Sequence, residues 1–138
     1  MPAKDLYHDT VKAALIKDGW LIVADPYRIQ YKDIDLYADL AAERPIAAER
    51  QGRKIVVEIK SFVGRSPMTD FHNAVGQYAV YRSLIQATEP DYQLYLAIDD
   101  ITYENFFKLE GIAFIIEVSQ ISLLVVDIEQ QEIVQWIS

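Results

Sequence analysis

Apolar residues recur along the chain at two different spacings, and the spacing separates helices from strands. Residues 4–18, KDLYHDTVKAALIKD, place Leu6, Tyr7, Val11, Ala14 and Leu15 at intervals that predict a first helix, with Pro2 suited to its entry and Gly19 to its exit. WLIVA at 20–24 predicts a short buried strand, broken by Asp25-Pro26. Residues 27–38 mix aromatic and β-branched side chains in partial alternation and predict strand and loop. The clearest hairpin follows, with PIAAE (45–49) and KIVVEIKSF (54–62) flanking RQGR, where Gly52 can take the positive φ of a tight turn. SPMTDFHNAVGQYAVYRSLIQAT then carries Phe71, Val75, Tyr78, Ala79, Leu84 and Ile85 in a long helical pattern starting at Ser66-Pro67 or Thr69. YQLYLAI at 92–98 reads as a strand. The tail predicts a short helix near 102–110 ended by Gly111, apolar strands at 112–118 and 122–128, and a last segment, EIVQWI, at 132–137. This α, β, β, β, α, β order with an appended αβ tail predicts an α/β fold of the α+β mixed-sheet kind, with helices packed against the sheet.

A length of 138 residues predicts a single domain over 1–138. Half the residues are apolar, yet no run approaches the length of a membrane span, so the pattern is that of a globular chain with no membrane association. Cysteine is absent, which removes disulfides and thiolate chemistry, and MPAKDLYHDT lacks the apolar core of a secretion signal; both predict a cytoplasmic location. The net charge of -8 opposes unassisted nucleic-acid binding. The charge is uneven, however, because residues 83–138 contain ten acids and one base, Lys108, while all other basic residues lie before them. A polyanion should therefore meet the first half, near Arg44, Arg50, Arg53, Lys54 and Arg65. One alternative reading of this asymmetry is a purely protein-binding module whose acidic second half docks a basic partner at Asp99, Asp100 and Glu104.

The polar residues inside the KIVVEIKSF strand change the picture most. Alternation puts Val56, Glu58 and Lys60 on one face and Ile55, Val57 and Ile59 on the other. A turn centred on Gln51-Gly52 would set Glu49 opposite Lys54, Pro45 opposite Glu58 and Glu43 opposite Lys60. Pro45 lacks an amide hydrogen and invites a bulge, so a displaced register leaves either Asp39 or Glu43 beside Glu58. Two converging carboxylates repel unless a cation or proton intervenes, and oxygen ligands select a hard ion such as Mg²⁺ or Mn²⁺. With His8, read as structural, and His72, read as a helix-surface residue, as the sole histidines, a zinc site is not expected. Lys60, on the same face, can hold a water or a phosphate oxygen, and the set suits phosphodiester hydrolysis. Asp9 on the first helix is the expected accessory acid, while Asp35 is the weakest alternative ligand.

These residues resemble the PD-(D/E)xK nuclease superfamily, with its restriction-endonuclease-like αβββαβ core, over residues 5–98. The matching positions are Asp39 or Glu43 for the first acid, Glu58-Ile59-Lys60 for Glu-x-Lys, and Asp9 for the helix acid. Gln77 and Tyr81, spaced i, i+4, are similar to the Gln-x-x-x-Tyr element of the RecB-like branch. The first acid departs from the usual Pro-Asp, so Asp39 and Glu43 stand as alternatives. The resemblance implies that Glu58, the upstream acid and the Ile59 carbonyl hold Mg²⁺, with Lys60 steering the attacking water and Gln77 and Tyr81 orienting Lys60 or contacting phosphate.

More narrowly, YHDTVKAALIKDGWLIVADPY, ADLAAER, AAERQGRKIVVEIKSF, FHNAVGQYAVYRSLI, LYLAI and EIVQWI resemble the XisH family of cyanobacterial proteins, the fdxN element excision controlling factors. That resemblance implies help to a site-specific recombinase in removing a DNA element during heterocyst development, with DNA and an XisI-like protein as partners. Two readings follow: an Mg²⁺-dependent endonuclease or nickase, or a non-catalytic nuclease-fold protein that recruits a recombinase or partner to DNA. Cutting both strands commonly needs two sites, and the apolar tail strands suit pairing in a homodimer.

Overall fold

The computed structural model describes residues 4–44 and 52–138. Helix α1 (His8–Lys17) leads into strand β1 (Leu21–Ala24), a hairpin of β2 (Tyr27–Tyr31) and β3 (Ile34–Ala38), and strands β4 (Leu40–Arg44) and β5 (Arg53–Ile59). Helix α2 (Pro67–Thr88) and strand β6 (Gln93–Asp99) follow. A short helix α3 (Asp100–Thr102) runs on as a π-helical turn (Tyr103–Phe107), and α4 (Glu110–Val118), β7 (Leu123–Asp127) and β8 (Glu132–Ile137) complete the described chain. No described helix is long and apolar enough to cross a membrane.

Six strands form one mixed sheet in the order β1-β4-β5-β6-β7-β8, while β2 and β3 make a separate two-stranded sheet. The central strands β5, β6 and β7 run parallel, and β1, β4 and β8 are antiparallel to their neighbours. Strands covered on both faces read as apolar runs rather than alternations, which is why LYLAI and LLVV have no polar position. On one face Ile55, Val57, Tyr95 and Leu124 pack with Val11, Ala14 and Leu15 of α1. On the other, Val56, Leu96 and Val125 pack with Phe71, Ala74 and Tyr78 of α2, with Ile29 of the hairpin and with Ile112 and Ile116 of α4.

Several boundaries follow the predicted signals. Ser66 caps α2 by accepting from the Thr69 amide at 3.2 Å, with Pro67 in the first turn, and Gly19 leaves α1 at φ 92°. Three predictions are corrected. Residues 27–38 form a complete hairpin rather than strand and loop. The partner of β5 is Leu40–Arg44, whereas the predicted PIAAE strand lies outside the described residues, as do Arg50 and Glu49. Residues 112–118 are helix, not strand, and Gly111 lies inside α4 rather than ending a helix. The apolar run at 112–116 fits a buried strand or a buried helix equally well. Topology decides, because β6 and β7 are parallel and must be joined by a crossover, which α3 and α4 supply.

Tyr78 ties the layers together. Its hydroxyl donates to the Leu94 carbonyl at 2.9 Å and accepts from the Ser122 amide at 3.1 Å, joining α2 to β6 and to the entrance of β7 in a dry environment. Tyr78→Phe keeps the ring but leaves both backbone groups unpaired. We expect a loss of about 1–3 kcal/mol in denaturant unfolding; a variant as stable as the wild type would show that this junction carries no weight.

Candidate functional site

The β4–β5 register determines which acid meets Glu58. Leu40 pairs with Val57 and Glu43 with Lys54, so Asp39, one step before β4, comes beside Glu58. The Asp39 amide donates to Glu58 Oε1 at 2.9 Å, and the Ile59 amide donates to Asp39 Oδ2 at 2.6 Å. Each carboxylate thus takes a main-chain hydrogen bond from the other's strand. Glu43 is not part of this centre. It lies four residues, about 13 Å, further along the strand, and accepts from the Tyr92 hydroxyl at 3.0 Å. The expected pairings of Pro45 with Glu58, Glu43 with Lys60 and Glu49 with Lys54 are replaced by this register.

Burial and mutual repulsion govern both acids. Glu58 is pushed up to about 8, first by burial and then by the Asp39 charge. Burial also raises Asp39, against the lowering effect of the Ile59 amide. Tyr81, half-buried on α2, donates to the Tyr37 carbonyl at 2.9 Å, and its hydroxyl is pushed up to about 12 by burial and by the charges of Glu58 and Asp39. It therefore stands by the acids and secures the β2–β3 hairpin to α2. Gln77, one turn earlier, is exposed. The expected Gln77/Tyr81 pair is split, with Tyr81 at the centre and Gln77 on the solvent side.

Lys60 continues the parallel pairing of β5 with β6, its amide donating to the Ala97 carbonyl at 3.0 Å. Its ammonium group lies 4.0 Å from Asp70 Oδ1 in the first turn of α2. Asp70 Oδ2 accepts from the Gly64 amide at 3.0 Å, and a Cβ on residue 64 would come within 2.8 Å of that oxygen. Glycine is what lets the loop after Lys60 close onto Asp70.

Asp9 does not reach the centre. It is exposed and 3.5 Å from Lys4, because the adjacent His8 points inward and successive helical side chains diverge by about 100°. The acid contributed from this end of the chain is Asp5, in the segment before α1, whose Oδ2 accepts from both the amide and the hydroxyl of Ser61 at 3.0 Å. Its charge is among those that raise Asp39 and Glu58. His8 is 3% exposed. Its Nε2 lies 2.8 Å from Asp25 Oδ1, while Nδ1 has no hydrogen-bond partner and lies 3.8 Å from Asp39 Oδ1. Burial opposes charge on Asp25, but Lys12, at 2.7 Å, and His8 outweigh it and hold this carboxyl below its usual range. Asp5, Asp25 and Asp70 were not singled out in the sequence. Asp25 was visible there only as half of a strand-breaking Asp-Pro. His72 is exposed, and Asp35 pairs with Arg28 at 2.8 Å on the hairpin, away from the acids.

The basic residues expected to meet a polyanion are largely committed elsewhere. Arg53 lies over the adjoining rings of Trp20 and Trp136, Lys54 lies over Tyr92, and Arg44 pairs with Asp18. Arg65 is exposed beside Gly64. No cluster of three or more His, Asp or Glu side chains forms a ready metal cage among the described residues. Two part-buried carboxylates suit a hard ion that keeps several of its own waters, as Mg²⁺ does. Asp39, Glu58 and the Ile59 carbonyl are the groups available to such an ion.

The fold and this centre define a mixed α/β protein with paired acids on neighbouring strands and a lysine two residues on. The model of the XisH protein family matches residues 1–134, and the chain belongs to that family. Two crystal structures are similar along nearly the whole chain. One is an XisH family protein from Nostoc punctiforme PCC 73102, 41% identical, with a TM-score of 0.89, covering 97% of this chain and 100% of that one. The other is described as an fdxN element excision controlling factor protein from Anabaena variabilis, 44% identical, with a TM-score of 0.87, covering 98% and 100%. No curated protein matches the chain.

Glu58 makes stability depend on pH with a definite sign. Its carboxyl moves from an ordinary 4.5 to about 8 on folding, so between those values the folded chain holds a proton that the unfolded chain has released. The contribution is full below 4.5 and is lost as pH rises through about 8. Without divalent ions, the thermal midpoint should fall between pH 5 and 8.5, and Glu58→Gln should flatten that fall and exceed wild type at pH 8.5. An unchanged slope in the variant would contradict the assignment.

Proposed function

We propose that the protein is an excision control factor of the kind named for its Anabaena relative, and that Asp39 and Glu58 form a Mg²⁺- or Mn²⁺-dependent centre for phosphodiester hydrolysis in DNA on a restriction-endonuclease-like, PD-(D/E)xK core. The observation that carries this reading is the side-by-side placement of two part-buried acids with raised pKa values, followed by Lys60. Asp39, Glu58 and the Ile59 carbonyl would hold the ion. When bound, it supplies Lewis acidity toward a phosphate oxygen and toward a water. The amides of Asp39 and Ile59 fix the two carboxylates, so little reorientation is needed when charge arrives. Lys60, released from its 4.0 Å approach to Asp70, supplies positive charge to the scissile phosphate and orients the attacking water. Tyr81 holds the hairpin that walls one side of the centre. Asp9, Glu43 and Gln77 have no part in this assignment.

Calorimetric titration with Mn²⁺ at pH 8 separates the two candidate acids. Asp39→Asn and Glu58→Gln should each weaken binding at least tenfold, and Glu43→Gln should leave it unchanged. Plasmid nicking with Mg²⁺ should fall about a hundredfold in Glu58→Ala and Lys60→Ala and persist in Asp9→Ala; activity indifferent to the first two would remove the hydrolytic assignment.

A second reading has its own support. The net charge of -8 opposes DNA binding, and with Arg44, Arg53 and Lys54 committed to structural contacts, Arg65 is the uncommitted base of the expected patch among the described residues. On this reading the protein recruits a recombinase or an XisI-like partner to DNA without cutting it. A gel shift that requires the partner protein and survives Lys60→Ala would favour recruitment.

A further inference from the structure

We infer that the outward face of α4 is a docking surface for an amphipathic helix of another protein, one whose apolar stripe is flanked by lysine and arginine. A helix covering a sheet needs one apolar side, yet α4 has two. Ile112 and Ile116 face the core at 5% and 8% exposure, while Phe114, Ile115 and Val118 face outward at 64%, 38% and 63%. At about 100° per residue, Gly111, Phe114, Ile115 and Val118 fall on one stripe with the i, i+3, i+4, i+7 spacing that helix-on-helix recognition uses. Gly111 has nothing within 4 Å of where a Cβ would stand, so a second helix can approach the backbone closely there.

Charge selects the occupant. Glu110 and Glu117, seven residues apart, run along the edge of the stripe, and Glu104 lies in the turn before it. Lys108, the single base in residues 83–138, is held by Glu104 at 2.8 Å. Asp99, expected from the sequence to join a docking surface, is buried and caps α3 through Thr102. A second copy of this chain would bring the same acids to a two-fold interface and be repelled. An anionic lipid surface is disfavoured for the same reason. A basic amphipathic helix satisfies both the apolar stripe and its acidic edge.

This surface is distinct from the carboxylate pair, and its test involves neither metal nor DNA. The probe is a synthetic helical peptide of about 18 residues, with leucine on one face and lysine on the flanks, alongside a counterpart with glutamate flanks. Anisotropy titrations with the full chain should show the lysine peptide binding at least tenfold more tightly. Phe114→Asp with Val118→Asp should lose that binding at an unchanged thermal midpoint, and Glu110→Lys with Glu117→Lys should reverse the preference. Asp91→Lys with Glu129→Lys, an equal change of net charge elsewhere, should leave it intact. The inference is overturned if neither peptide binds, if the Asp91/Glu129 variant loses binding as much, or if sedimentation shows a wild-type dimer that Phe114→Asp dissociates.

Discussion

Pairing Leu40 with Val57 sets Asp39 against Glu58, and the chemistry available to this protein depends on that register. A one-residue slip of β4 would turn Leu40 and Ala42 toward α2 and bring Ala41 toward α1, exchanging two differently shaped cores. A two-residue slip would keep the faces but bring Ala41 beside Glu58. The core therefore excludes odd shifts, and the crossed bonds from the Asp39 and Ile59 amides disfavour even ones. The polar site and the apolar sheet specify each other.

Holding two acids together is costly, and the surroundings reduce the cost without removing it. Main-chain amides favour the charged forms, whereas burial and the extra charge of Asp5 oppose them. Positive groups are kept one step away: Lys12 is spent on Asp25 and Lys60 faces Asp70. His8 carries the connection inward, bonded to Asp25 on one ring nitrogen and facing Asp39 with the other. The centre keeps an unmet demand for positive charge, and the proposed cation site rests on that demand.

Much of this was legible in the sequence because it depended on local periodicity. The alternation in KIVVEIKSF correctly separated Glu58 and Lys60 from Ile55, Val57 and Ile59, and Ser66-Pro67 marked the start of α2. What could not be read was long-range. The register of β4 on β5 rests on core packing and on the residues connecting them, and turn chemistry at Gly52 alone placed the wrong residues opposite Glu58. Asp9 was placed at the centre because periodicity gives a helix its faces but not the rotation that seats it, and the burial of His8 sets that rotation; Asp5, in the segment before α1, carried no signal. Residues 112–118 failed for a related reason: with apolar residues on two faces of one helix, Glu117 is the single polar position in the segment left to reveal its period.

That failure is itself informative, because a helix loses its polar side when something other than water is meant to cover it. The crossover from β6 to β7 places α4 on the same side of the sheet as α2, Asp39 and Glu58, through Ile112 and Ile116. Phe106 and Phe107, just before α4, pack against Phe62 and Phe71. Phe62 lies two residues after Lys60, and Phe71 follows Asp70. One aromatic cluster therefore supports both the outward apolar stripe and the loop that holds the lysine. A partner on α4 would rest on the framework that positions Lys60.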